Sequence, residues 1–123
     1  MKKFALAASL LTFAAGTSAH AASAPVVVEL FTSQGCSSCP PAEALLVSLA
    51  RDPSILPLTL HVDYWDYLGW KDPYSSAANT ERQRNYSSYL GRNNVFTPQV
   101  MVDGSFSAVG SNSGEVNNAI AKA

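Results

Sequence analysis

The chain has 123 residues, 47% of them hydrophobic and only 14% charged, with a formal net charge of −1. That length suits one small domain with a single core. The eight basic residues are scattered, which argues against a nucleic-acid partner or an anionic membrane surface.

Lys2 and Lys3 open the chain, and Phe4 to Ala15 follow as an apolar run of about a dozen residues, the length of a signal-peptide core. The run falls short of the roughly 20 apolar residues that span a bilayer, although an uncleaved anchor is the rival reading. Ala19-His20-Ala21 fits the A-x-A cleavage pattern. Residues 1–21 are therefore expected to be removed, leaving 22–123 as a periplasmic or secreted domain. No cysteine stands near the cut to carry a lipid. Six basic and nine acidic residues remain after cleavage, a net charge of −3. No membrane association is expected after cleavage, and the expected state is a monomer.

Val26 to Phe31 is short, β-branched and almost wholly apolar, the pattern of a central strand covered on both faces. Cys36 and Cys39 follow a short loop. Ala42, Leu45, Leu46 and Leu49 then mark one face of a helix, which Asp52-Pro53 stops. Leu56, Leu58, Leu60 and Val62 alternate with polar neighbours and predict a second strand whose leucine side is the better buried. Strand, helix, strand at this spacing predicts a right-handed crossover. An aromatic-rich segment runs from Tyr64 to Pro73, and a weakly patterned helix is expected from Ser75 to Leu90, ending at Gly91. Gln99–Val102 and Phe106–Val109 flank Asp103-Gly104, a strong hairpin signal. Ser113 is a candidate cap for a last helix carrying Val116, Ala119 and Ile120. The order βαβ-α-ββ-α predicts an α/β fold with a four-stranded mixed sheet and helices on both faces.

The two cysteines are the only ones in the chain. A ring closed between them would add only about 2 kcal/mol on chain-entropy grounds, so a purely structural role makes poor use of the pair. A thiol does redox work as its thiolate, and a helix start stabilises negative sulfur through unpaired N–H groups and its dipole. Pro40 and Pro41 suit the first helical turn and place Cys36 just ahead of it. The N–H groups of Ser38 and Cys39 are expected to face the Cys36 sulfur. Cys36 is thus expected to be the attacking thiol, the more exposed and more acidic of the two, with Cys39 resolving the mixed disulfide.

The run from Glu29 to Pro41 (ELFTSQGCSSCPP), His61 to Asp66 (HVDYWD), Gly69 to Pro73 (GWKDP) and Thr97-Pro98-Gln99 together resemble a secreted thioredoxin-like family catalogued as a domain of unknown function. The match runs from about Val26 to Gly110. Members typically continue past the point where this chain stops, so a truncation after Ala123 is expected. The resemblance implies a thioredoxin-like fold and export. It also implies a cis bond between Thr97 and Pro98, beside the cysteines, where the backbone of Thr97 would hold an extended substrate peptide. Glu29 lies near the place of a buried acid that, in thioredoxins, exchanges a proton with the resolving cysteine. The alternative for Glu29 is a strand glutamate that reaches water or a nearby arginine.

His61 with Cys36 and Cys39 is the seed of a metal site, since two thiolates suit Cu(I), but too few ligands are at hand for structural zinc. Tyr64, Trp65, Tyr67, Trp70 and Tyr74 are expected chiefly to pack over loops, with a peptide groove as the rival role. Arg82 and Arg84 are expected on a solvated helix face. These observations predict an exported thiol–disulfide oxidoreductase acting on protein or peptide thiols, with no cofactor and no metal. The alternatives are a periplasmic copper-binding protein using the same cysteines, or a redox-inert binding module with a permanent disulfide.

Overall fold

The computed structural model describes residues 22–123; the expected signal peptide lies outside the described residues. Seven elements follow in chain order: β1 (Val26–Thr32), α1 (Pro40–Leu49), β2 (Ile55–His61), α2 (Ala77–Tyr89), β3 (Gln99–Val102), β4 (Phe106–Val109) and α3 (Ser113–Lys122). The four strands form one sheet in the order β2-β1-β3-β4. β1 runs parallel to β2 and antiparallel to β3, and β4 closes the sheet antiparallel to β3. The architecture is consistent with the expected thioredoxin-like α/β fold, with β1 and β3 at its centre.

β1 has no polar face to offer water, and alternate residues feed two cores. Val28 and Leu30 pack with Ala42 and Leu46 of α1, Val100 and Val102 of β3, Ala108 of β4, and Val116 and Ala119 of α3. On the other side Phe31 joins Val62 and Met101, with Tyr64, Trp65, Tyr86 and Leu90 packed around them. Helices α1 and α3 therefore cover one face of the sheet, and α2 the other.

The two faces are held differently. The α1/α3 side is hydrocarbon except at the end of β1, where the Thr32 hydroxyl donates to Glu43 of α1. Helix α2, by contrast, buries Thr80, Gln83 and Ser87. The Gln83 side-chain amide donates to the Phe96 carbonyl (2.7 Å) and to Gln99 (2.8 Å), and its oxygen accepts from the Tyr64 hydroxyl (2.9 Å). The Thr80 hydroxyl donates to Asp63, and that of Ser87 to the Asn94 carbonyl. Every one of these buried polar groups is satisfied, as burial requires. A polar inner face explains why the apolar periodicity of this segment was weak.

β2 departs from expectation. Its leucine side is not the better-buried one: Leu56 and Leu58 are 44% and 39% exposed. The register pairs them with Val27 and Glu29, so they lie on the α2 side of the sheet. There α2 reaches β1 through Arg82 and Tyr86, and β2 is the sheet edge.

Local signals set the ends. The hairpin turn has positive φ at both Asp103 (47°) and Gly104 (65°), as a two-residue primed turn demands. Ser76 caps α2 by accepting from the Ala78 N–H. The cap of α3 is Asn112 rather than Ser113: its carbonyl oxygen accepts from the Glu115 N–H, and its amide donates back to the Glu115 carboxylate. This differs from the usual capping box, in which the glutamate takes the cap's own N–H; here the Asn112 N–H donates to the Val109 carbonyl and Glu115 takes the Val109 N–H.

Candidate active site

The site lies where the central strands deliver their loops. β1 ends at Thr32, the chain turns through Ser33–Gly35, and α1 starts at Pro40 with Cys39 as its N-cap. Cys36 and Cys39 are joined by a disulfide across that turn. Cys36 is 3% exposed and Cys39 is fully buried, so the order of exposure is as expected but both sulfurs are covered. Ser37 and Ser38 between them face water.

The helix start supplies fewer donors than expected. Two of its first N–H positions are prolines, which have none. The next two, Ala42 and Glu43, both donate to the Cys39 carbonyl. The Cys39 N–H donates to the Cys36 carbonyl at 3.2 Å, so it does not face the sulfur. The Ser38 hydroxyl does, 3.5 Å from Cys36 Sγ. The helix dipole and that hydroxyl favour a Cys36 thiolate, and the Ser38 N–H takes no backbone acceptor among the described residues.

The Thr97–Pro98 bond is cis. Pro98 is buried beside α1: a side chain added at Gly110 would meet Pro98 Cβ at 3.1 Å and Ala42 Cβ at 3.2 Å. Ala42 is three residues past Cys39. The Gly110 N–H donates to the Pro98 carbonyl at 3.0 Å, so the residue that follows β4 is tied to the proline beside the helix. Thr97 is fixed through its side chain, which accepts from the Trp65 indole N–H at 2.8 Å. Its own N–H and C=O take no backbone partner among the described residues.

A third loop, Tyr64–Tyr74, completes the surroundings, and it carries the residue that motif analysis left without a role. Asp72 is 1% exposed. Its carboxylate accepts from the Gln34 and Tyr74 N–H groups, both at 2.9 Å, and pairs with His61 Nδ1. Burial works against its ionisation, but the Gln34 amide, His61 and the Tyr74 amide outweigh it and hold the carboxyl below its usual range. Asp72 thereby ties the aromatic loop to the cysteine loop two residues before Cys36. The Trp70 indole N–H adds a bond to Gln34 Oε1 (2.8 Å). Gly35 is needed here because a Cβ would stand 3.1 Å from Trp65 Cβ and 3.2 Å from its carbonyl oxygen. An aspartate between a lysine and a proline reads in sequence as a surface turn, and no local pattern marks its burial.

The aromatics divide. Tyr64 and Trp65 pack against the core, whereas Tyr67, Leu68, Trp70 and Tyr74 are 90%, 68%, 62% and 68% exposed. Burial pushes the Tyr64 hydroxyl up to about 12.

Glu29 is 2% exposed and is occupied by α2. Arg82 Nε donates to one carboxylate oxygen, and the Tyr86 hydroxyl to the other. Burial, reinforced by the Glu29 bond, pushes the Tyr86 hydroxyl up to about 12. Of the two roles open to Glu29, it takes the partnership with arginine, and it does so on the α2 face. α1, which starts at the cysteines, packs on the opposite face. Arg82 is accordingly not a purely solvated residue, since its guanidinium answers a buried acid. His61 is engaged by Asp72, and no cluster of three or more His, Cys, Asp or Glu side chains suited to a metal occurs among the described residues. A groove of about 530 Å³ runs along α2 past Arg82, Tyr86 and Gly104, away from both cysteines.

A family described as a protein of unknown function (DUF1223) matches residues 27–123. The chain belongs to this family. The chain also resembles the crystal structure of a structural-genomics target from Agrobacterium tumefaciens, with 46% sequence identity and a TM-score of 0.73. That similarity covers 83% of this chain and 45% of the other, so the chain spans about half the length of that relative. The search of curated proteins returned no match.

Proposed function

We propose that the protein is an exported thiol–disulfide oxidoreductase acting on protein or peptide thiols. The observation that carries this reading is the convergence of Cys36–Cys39, at the start of α1, with the buried Pro98 and the backbone of Thr97. These two segments lie far apart in sequence, and Gly110 bridges them by approaching both Pro98 and Ala42. In the reaction, the Cys36 thiolate attacks a substrate disulfide to form a mixed disulfide, and Cys39 closes on Cys36 to release the reduced substrate. The reverse sequence oxidises a dithiol. Thr97, whose backbone groups take no backbone partner among the described residues, is the residue assigned here to pair with an extended substrate segment. Export is inferred from residues 1–21 and suits a compartment where disulfides persist.

The test is equilibration with glutathione buffers, with alkylation of free thiols as the readout. A reversible two-electron midpoint within the range of known two-cysteine sites, about −270 to −120 mV, is the expected result. A disulfide that resists mild reductant throughout would leave an inert binding module instead. Cys39→Ser is expected to accumulate mixed disulfides and Cys36→Ser is not.

A further inference from the structure

We propose that Glu43 is the proton acceptor for the Cys39 thiol in the resolving step. The proposal rests on the redox reading above and assigns within it a role that Glu29 does not fill. Cys39 must lose a proton before it can attack, and it is fully buried. Burial in apolar surroundings disfavours the thiolate, so a base within the protein is required.

The nearby carboxylates sort themselves by what already holds them. Both oxygens of Glu29 are taken by α2 on the far face of the sheet. Asp72 is engaged by two amides and His61, and Asp63 by Thr80. Glu43 differs. It stands one helical turn beyond Cys39, with its N–H donating to the Cys39 carbonyl at 3.1 Å. Residues four apart at a helix start share a face, with Cβ atoms about 5–6 Å apart.

Its Oε1 accepts the Thr32 hydroxyl at 2.7 Å. Thr32 is fully buried and continues the α1-facing side of β1 begun by Val28 and Leu30. A rigid central strand thus fixes one carboxylate oxygen. The other takes no protein hydrogen bond among the described residues, and the side chain is half-buried. One carboxylate oxygen is thus held against β1 and the other is left unclaimed on a half-buried side chain one turn from Cys39.

The step balances as follows. In the mixed disulfide between Cys36 and a substrate sulfur, Glu43 takes the Cys39 proton. The Cys39 thiolate forms a bond to Cys36 Sγ, and the bond from Cys36 to the substrate sulfur breaks. The substrate leaves as a thiolate that takes a proton from water, and Glu43 returns its own to water. The dithiol supplies the two electrons.

The probe is the aryl disulfide dithiobis-nitrobenzoate, mixed with the reduced protein at equal concentration in a stopped-flow instrument. The first equivalent of nitrothiobenzoate reports Cys36 attack and depends on reagent concentration. The second reports Cys39 closure and does not. Glu43→Gln is expected to slow the second phase about 100-fold or more and to leave the first within about twofold, the scale of a lost general base. Thr32→Val, which frees the carboxylate without removing it, is expected to slow the same phase by a smaller factor. An unchanged second phase in Glu43→Gln overturns the proposal, as does equal slowing of both phases. If the native protein shows no second phase at all, the redox reading falls and the proposal with it.

Discussion

Asp72 concentrates more of the site's geometry in one side chain than either cysteine does. Two amides and an imidazole converge on a carboxylate that is almost fully buried. Because its folded-state proton affinity is depressed, the unfolded chain binds the proton more readily, and stability rises with pH through that range. The contribution is complete above the ordinary aspartate value of about 3.9 and is lost as the pH falls through the lower folded value. Asp72→Asn should therefore lower the urea midpoint at pH 7 and flatten its decline below about pH 4. It should also loosen the Gln34 amide and speed proteolysis of the loop before Cys36. A variant with the native acid limb would show that Asp72 is not what anchors the loop.

At the scale of elements, the two faces of the sheet obey different chemistry. Gln83 satisfies three partners at once, so Gln83→Ala strands a hydroxyl, a carbonyl and an amide and should cost about 2–3 kcal/mol in urea unfolding. An exposed polar residue of α2 such as Asn85 should change stability by less than about 0.5 kcal/mol when replaced by alanine. The same asymmetry decides what the sequence made legible. β1, α1, the hairpin and α3 carry their apolar period or turn residues openly, and their order, pairing and central strands stand as expected. The inner face of α2 is polar, so the sequence bounded it only from Ser75 to Gly91 with a weak pattern, and its cap at Ser76 came from the structure. The leucine alternation of β2 predicted burial correctly only where a neighbour arrives: Val62 is buried and Leu56 is not. Within the site, the cysteines and Pro98 announce themselves by type and spacing. Asp72, Thr32 and Glu43 do not, because their meaning depends on contacts 38 and 11 residues away. Glu29 was visible as an acid in an apolar strand, but its arginine lies 53 residues on, beyond any local pattern.

For the whole molecule, three loops surround one disulfide, and the third presents an exposed aromatic surface beside it. Trp70 joins that surface to the cysteine loop through Gln34. If extended substrates lie across it, Trp70→Ala should raise the peptide-disulfide concentration needed for half-maximal rate several-fold, the scale of about 1 kcal/mol of aromatic contact. The equilibrium with glutathione, which involves no large partner, should not move. A shift in that equilibrium would place Trp70 among the groups that set the cysteine chemistry instead.

The edge formed by β2 carries a different consequence, for the fate of the protein in a crowded solution. Its sequence, Ile-Leu-Pro-Leu-Thr-Leu-His, is a β-prone run with two exposed leucines at the border of the sheet. Such an edge is a template on which further chains can stack into fibrils. Pro57 stands in its middle without an N–H to offer, and proline at an edge strand is a common guard against that stacking. Pro57→Val would restore an unbroken ladder of donors beside the leucines. The variant should keep its native fold when dilute yet seed thioflavin-positive fibres as its concentration rises, whereas the parent chain stays clear.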